Sequence, residues 1–168
     1  ARIKTRRRDG RPVFAQRSGR FEFRARVPWG KGLWPALWML PVDDRYGGWA
    51  ASGEIDLMEI VGEKPEEVLS SIHFGSTYPK RTLITTTHAL PKASLVSDWH
   101  TYAVEWEPGE IRFFVDEVQT CTYRHWWSCS KLVEGVGVEA RKEADLNPWP
   151  APFDQPFYLV MNVAVGGN

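Results

Sequence analysis

The sequence predicts an all-β protein, an antiparallel sandwich or barrel built from many short strands. Three observations carry this. Apolar and polar residues alternate with a period of two, turn residues separate the alternating segments, and no βαβ alternation of strands with helices is visible. The 168 residues are enough for one domain with a sizeable core and too few for two, so residues 1–168 are expected to form a single domain.

The elements follow in order. The first residues, Ala1 to Arg6, already alternate, so the chain opens inside a strand-rich pattern. Phe21, Phe23, Ala25 and Val27 alternate with Arg20, Glu22, Arg24 and Arg26, which gives one buried and one polar face. Pro28-Trp29-Gly30-Lys31-Gly32 breaks that run as a turn. Leu33 to Leu40 is a second, more apolar strand, and Pro41 to Gly48 a polar loop. Strands are expected at Glu54 to Val61, Leu69 to Phe74 and Thr82 to Thr87. Thr101 to Trp106 and Ile111 to Val115 flank Glu107-Pro108-Gly109-Glu110, the turn of an antiparallel pair. Phe157 to Val165 is the last strand. Helix is scarce: Ser130 to Val136 is expected to make one short turn capped by Ser128 or Ser130. Residues 140–156, with Pro148, Pro150, Pro152 and Pro156, read as one long surface loop.

Composition narrows the function. Hydrophobic residues at 43% and charged residues at 25% describe a globular chain, not a disordered one. No apolar run reaches the roughly 20 residues that span a membrane, and no signal-peptide layout is present. Net charge is zero, but residues 1–31 hold 11 of the 21 Lys and Arg against Asp9 and Glu22 alone. Alternating solvent-facing arginines on strands explain this better than a nucleic-acid surface, and the acidic remainder suits a neutral substrate. Nine tryptophans are more than a core requires. Flat indoles stack on pyranose faces, so the excess points to sugar binding, with core packing as the competing explanation. Cys121 and Cys129 are read as a disulfide, which tilts toward a secreted protein, with two free thiols a close alternative. They and His73, His88, His100 and His125 show no zinc spacing, so no metal site is expected.

The sharpest feature is Gly53-Glu54-Ile55-Asp56-Leu57-Met58-Glu59. Glu54 and Asp56 share a strand face, with Ile55 and Leu57 on the other. Strict alternation would put Glu59 on the core side; one extra residue at Leu57-Met58, a β-bulge, returns it to the face of Glu54 and Asp56. Glu54 and Glu59 would then be about four strand steps apart, ~13 Å between Cα atoms. Inward-leaning side chains can close that to the ~5–5.5 Å carboxyl separation of a retaining glycosidase. Asp56 between them can share a proton with one glutamate and push the pKa values of the pair apart. On spacing alone, a solvated strand edge carrying three acids is the other reading.

Further blocks join this one: Gly19-Arg20-Phe21-Glu22-Phe23-Arg24, Gly32-Leu33-Trp34-Pro35-Ala36-Leu37-Trp38-Met39-Leu40, Ile72-His73-Phe74-Gly75, Trp99 through Trp106, and Met161 through Gly167. With the Glu-x-Asp-x-x-Glu core, the sequence resembles glycoside hydrolase family 16, in its laminarinase-like, endo-β-1,3-glucanase branch. The resemblance implies an antiparallel β-jelly-roll sandwich of the concanavalin A-like type, with glucan lying across the concave sheet. By motif, Glu54 matches the nucleophile, Glu59 the general acid and base, and Asp56 the residue that tunes the nucleophile. Met58 is the extra residue of the bulged form, which argues against a mixed-linkage lichenase. Trp34, Trp38 and Trp49 are expected as sugar platforms, His73 as a hydrogen-bonding residue near the cleavage point, and Asn162 as a cleft-border residue.

The expected activity is hydrolysis of internal β-1,3-glucosidic bonds of laminarin-type glucan. A same-family hydrolase of agar, carrageenan or porphyran, a transglycosylase and a non-catalytic β-glucan-binding module are the alternatives. No cofactor is needed for the chemistry. The resemblance implies further strands before and after these residues and a structural calcium in a full-length domain, whose ligands are not evident here. The expected partner is β-glucan polysaccharide or oligosaccharide, with no nucleic acid and no membrane, bound by a monomer. The expected location is extracellular, periplasmic or at the cell surface.

Overall fold

The computed structural model describes residues 1–166. Its strands, numbered in chain order, form two antiparallel sheets that face each other. The larger sheet runs β1 (Arg2–Lys4), β12 (Phe157–Val165), β3 (Leu33–Pro41), β4 (Glu54–Glu59), β5 (Glu67–Gly75) and β6 (Arg81–Ala89) in spatial order. The smaller runs β2 (Gly19–Ala25), β7 (His100–Glu107), β8 (Glu110–Val115) and β9 (Val118–Tyr123). This is the all-β jelly-roll sandwich that the sequence predicts.

Alternation explains the layers. Met39 from β3, Ile55 and Leu57 from β4 and Ile72 and Phe74 from β5 point between the sheets. From the other sheet Phe21, Val104, Trp106, Ile111 and Phe113 meet them. A second cluster, with Leu37, Met58, Val68, Val96, Tyr102 and Val115, fills the other end of the sandwich. Phe157 lies at the centre of the first cluster, edge-on to Trp106 with ring centroids 5.3 Å apart and 5.9 Å from Phe153.

On the smaller sheet, Arg20 of β2 and Arg112 of β8 meet neighbouring carboxylates, while Arg24 and Arg26 lie over Trp99. Arg20 pairs with Glu22 at 2.6 Å and Glu105 at 3.1 Å, and Arg112 pairs with Glu105 at 3.0 Å and Glu107 at 3.1 Å. Such exposed pairs contribute little stability each.

Two local expectations change. Residues Ser130 to Val136 do not form a helical turn; β10 (Leu132–Val133) and β11 (Gly137–Val138) make a small hairpin instead. Gly135 and Gly137 adopt positive φ there, and the Val136 N–H donates to the Val133 carbonyl at 3.1 Å, which closes a turn a helix could not contain. Strand β9 is absent from the sequence reading because its hairpin turns on Asp116 and Glu117. Both hold positive φ without a glycine to announce it. Residues 140–156 are largely irregular, with one 3-10 turn at Glu143–Asp145, but the stretch is pinned inward by Phe153 and by the Trp126 indole bonded to the Pro150 carbonyl at 2.9 Å. Cys121 and Cys129 are free thiols. No helix among the described residues is long and apolar enough to cross a membrane.

Replacing Phe157 with Ala removes a fully buried ring at the meeting point of Trp106 and Phe153. The expected cost is about 3–5 kcal/mol, measured by denaturant unfolding of the two proteins side by side.

Candidate active site

Strand β4 carries the bulge. On the β3 side Trp38 faces Asp56 and Leu37 faces Met58, so Leu57 has no partner; on the β5 side the register shifts between Asp56 and Glu59. Leu57 and Met58 are consecutive, yet both are buried, Leu57 in one core cluster and Met58 in the other. The Leu57 carbonyl, displaced from the ladder, accepts a hydrogen bond from the Ser70 hydroxyl at 3.0 Å. Glu54 lies opposite His73, Asp56 opposite Ser71 and Trp38, and Glu59 opposite Ala36. All three carboxylates therefore share the face that turns away from the core. Gly53 sets the entry to the strand: its φ is +89°, and a Cβ there would sit 2.9 Å from the Phe153 ring.

Indole N–H groups hold the two glutamates. Trp34 Nε1 donates to Glu59 Oε1 at 2.8 Å, and Trp49 Nε1 donates to Glu54 Oε2 at 2.7 Å. Trp38 Nε1 donates to Asn162 Oδ1 at 2.8 Å. His73 Nε2 lies 3.3 Å from Asp56 Oδ2 and 3.6 Å from Glu54 Oε1. A cavity of about 410 Å³ opens beside Glu54, lined by Trp38, Trp49, Tyr158, Leu40, Arg6 and Asp44 among others.

Burial dominates the electrostatics. It pushes Glu54 up to about 8, helped by the Asp56 charge and opposed by His73 and the Trp49 N–H. Asp56 is buried further still, and burial together with the Glu59 charge holds its carboxyl well above the usual range. The charge on either member of the Glu54–Asp56 pair disfavours charge on the other, so the two titrate as a unit and share one proton until both can ionise. His73 is pulled below its ordinary value, first by burial, and is neutral at neutral pH.

The family model for glycosyl hydrolases family 16 matches residues 10–129. The chain belongs to that family. It is 44% identical over 153 residues to glucan endo-1,3-beta-glucosidase A1 of Niallia circulans, a match covering 89% of this chain and 20% of that protein. It is 39% identical over 172 residues to a beta-1,3-glucan-binding protein of Penaeus monodon, covering 92% of this chain and 44% of the relative. Among solved structures, the catalytic domain of an endo-1,3-beta-glucanase (laminarinase) from Thermotoga petrophila RKU-1 superposes with a TM-score of 0.73 at 32% identity. That match covers 100% of this chain and 59% of the other. The chain thus spans about half or less of the length of these curated relatives.

Within this family 16 chain, the residues singled out from sequence occupy one connected region. Glu54, Asp56 and His73 converge, Glu59 follows on the same strand face, and Trp34, Trp38, Trp49 and Asn162 touch them or one another. Trp126 belongs to the core, and Trp127 packs against it. Several neighbours went unread in the sequence. Tyr158 and Arg6 line the cavity, Arg81 lies over the Trp49 ring at 5.2 Å, Tyr78 stacks on that ring at 6.2 Å, and Arg2 lies over Trp38 at 5.6 Å. Only Tyr158 left a signal: it has the same strand parity as Asn162.

Among the described residues, Glu54, Asp56 and His73 are the side chains close enough to hold a metal ion, with ligand atoms within 4.8 Å of one another. A mixed nitrogen and oxygen set with a fully buried carboxyl does not fit the oxygen cage of a structural calcium.

The raised Glu54 has a consequence for stability. Its folded value of about 8 stands above the ordinary 4.5, so between these values the folded chain binds more protons than the unfolded one. The contribution to stability is complete below about pH 4.5 and is lost as pH rises through about 8. Glu54→Gln is expected to flatten this decline and to melt higher than wild type at pH 8.5, as measured by thermal unfolding across pH.

Proposed function

We propose that residues 1–168 are the catalytic domain of a retaining endo-hydrolase that cleaves internal β-1,3-glucosidic bonds of laminarin-type β-glucan. The observation that carries this is the bulged β4, which sets Glu54, Asp56 and Glu59 on the sheet face away from the core, beside a cavity walled by Trp38 and Trp49.

In this reading Glu54 is the nucleophile. It acts in the ionised form, with the proton it shares with Asp56 resting on Asp56 during attack and the N–H of Trp49 orienting its Oε2. Its oxygen attacks C1 while Glu59 protonates the departing sugar oxygen, and a glycosyl-enzyme forms. Glu59, now a carboxylate, takes a proton from water as that water attacks C1 and releases Glu54. His73, neutral, packs against the buried carboxyl, with Nε2 3.3 Å from Asp56 Oδ2 and 3.6 Å from Glu54 Oε1. Trp34, Trp38 and Trp49 offer ring faces to the glucan, and Asn162 borders its path. The chemistry needs no cofactor. A polymeric substrate places the activity outside the cell membrane, with the chain acting as a monomer.

The beta-1,3-glucan-binding relative raises a binding-only reading, but all three carboxylates stand in the cleft here, which favours turnover. Reducing-end release on laminarin, with lichenan, agarose and κ-carrageenan in parallel, tests this. Oligosaccharides are expected from laminarin, with Glu54→Gln lowering the rate by roughly a thousandfold or more. A folded wild-type protein that binds laminari-oligosaccharides and releases nothing would leave a binding module in place of the enzyme.

A further inference from the structure

We infer that Trp34 is the positioning residue for the acid proton of Glu59, confining that proton to Oε2. This rests on the proposed role of Glu59 as general acid and adds which oxygen acts and what selects it.

An indole N–H is a donor with no acceptor capacity. Trp34 Nε1 lies 2.8 Å from Glu59 Oε1, so that oxygen must accept whatever the protonation state of the carboxyl. In a carboxylic acid the carbonyl oxygen is the better acceptor. The hydroxyl proton therefore goes to Oε2, which takes no hydrogen bond from the protein among the described residues. Strand geometry makes the contact rigid. Trp34 and Ala36 share the sheet face of β3, and Ala36, directly opposite Glu59, carries only a methyl group. The indole reaches the glutamate diagonally across the strand pair. Trp34 is the second residue of β3 and lies within the β3–β12 ladder, in register with Ala164.

The proton balance is then explicit. In the first step the Oε2–H bond of Glu59 breaks, its proton joins the departing 3-oxygen, and that oxygen receives the electron pair of the broken C1–O bond. Glu54 forms the new bond to C1. In the second step water adds to C1, its proton returns to Oε2, and the bond to Glu54 breaks. Oε1 stays on the Trp34 N–H throughout, so Glu59 need not turn between its two roles.

The test uses Trp34→Phe, which keeps an aromatic ring and removes the N–H. Cleavage of a glucan needs protonation of a poor leaving group, whereas a dinitrophenyl β-laminaribioside leaves without it. The value of kcat/KM for laminarin is expected to fall at least about tenfold more than that for the dinitrophenyl glycoside. Glu59→Gln should show the same pattern more strongly. A Trp34→Phe loss that is equal on both substrates, or confined to KM, would overturn the positioning role while Glu59→Gln still upheld the reading beneath it. A wild-type protein that cleaves neither substrate removes both. A second measurement, independent of activity and of the folding of Trp34→Phe, is the indole proton resonance of Trp34. It should lie downfield in wild type and move upfield in Glu59→Ala; a resonance unchanged by that substitution would mean the hydrogen bond is absent.

Discussion

The cleft depends on one irregularity, the unpaired Leu57 of β4. A regular strand would have to choose between its carboxylates and its core, because strict alternation sends Glu59 to the opposite face from Glu54 and Asp56. The bulge lets two consecutive residues, Leu57 and Met58, both turn inward, each into a different core cluster. The carboxylates on either side stay outward. The Ser70 hydroxyl, at 3.0 Å from the displaced Leu57 carbonyl, satisfies the group that the ladder gives up. Core and site are therefore stabilised by the same local geometry, and neither can be altered there without the other.

Burying carboxyls so close together is unfavourable unless protons and donors are arranged to offset it. Burial and the Glu59 charge push Asp56 toward its neutral form, and the glutamates accept hydrogen bonds from indoles. Tryptophan suits the task because its one polar group can only donate, which makes it a complement to an anion that no titration can reverse. The abundance of Trp that first suggested sugar binding thus has several causes. Trp106 and Trp126 pack the interior, while Trp34, Trp38 and Trp49 donate their N–H groups to Glu59, Asn162 and Glu54 respectively. Trp99 lies outside both, covered by the guanidinium groups of Arg24 at 4.6 Å and Arg26 at 5.5 Å.

The long 140–156 segment illustrates how a surface connection can shape a site without entering it. Phe153 fills the first core cluster and also stands against Gly53, and the Gln155 side chain donates to the Ser52 carbonyl at 3.1 Å. The segment therefore braces the two residues that lead the chain into Glu54. Nothing in its proline-rich composition announces that role, since composition reports only that regular structure is disfavoured.

Most strand positions, the sheet face of Glu54 and Asp56, and the need for a bulge before Glu59 were determined by sequence, because a period of two is a local property of the backbone. Ser130 to Val136 and β9 were misread or missed for an equally local reason: their turns rest on backbone angles that residue identity only partly encodes. Tertiary structure alone decided what the side chains touch. That Trp34 meets Glu59, Trp49 meets Glu54 and His73 faces Asp56 follows from the register between strands. The elevated Asp56 and Glu54 follow from burial between those strands, a quantity that exists only once the sheet has formed.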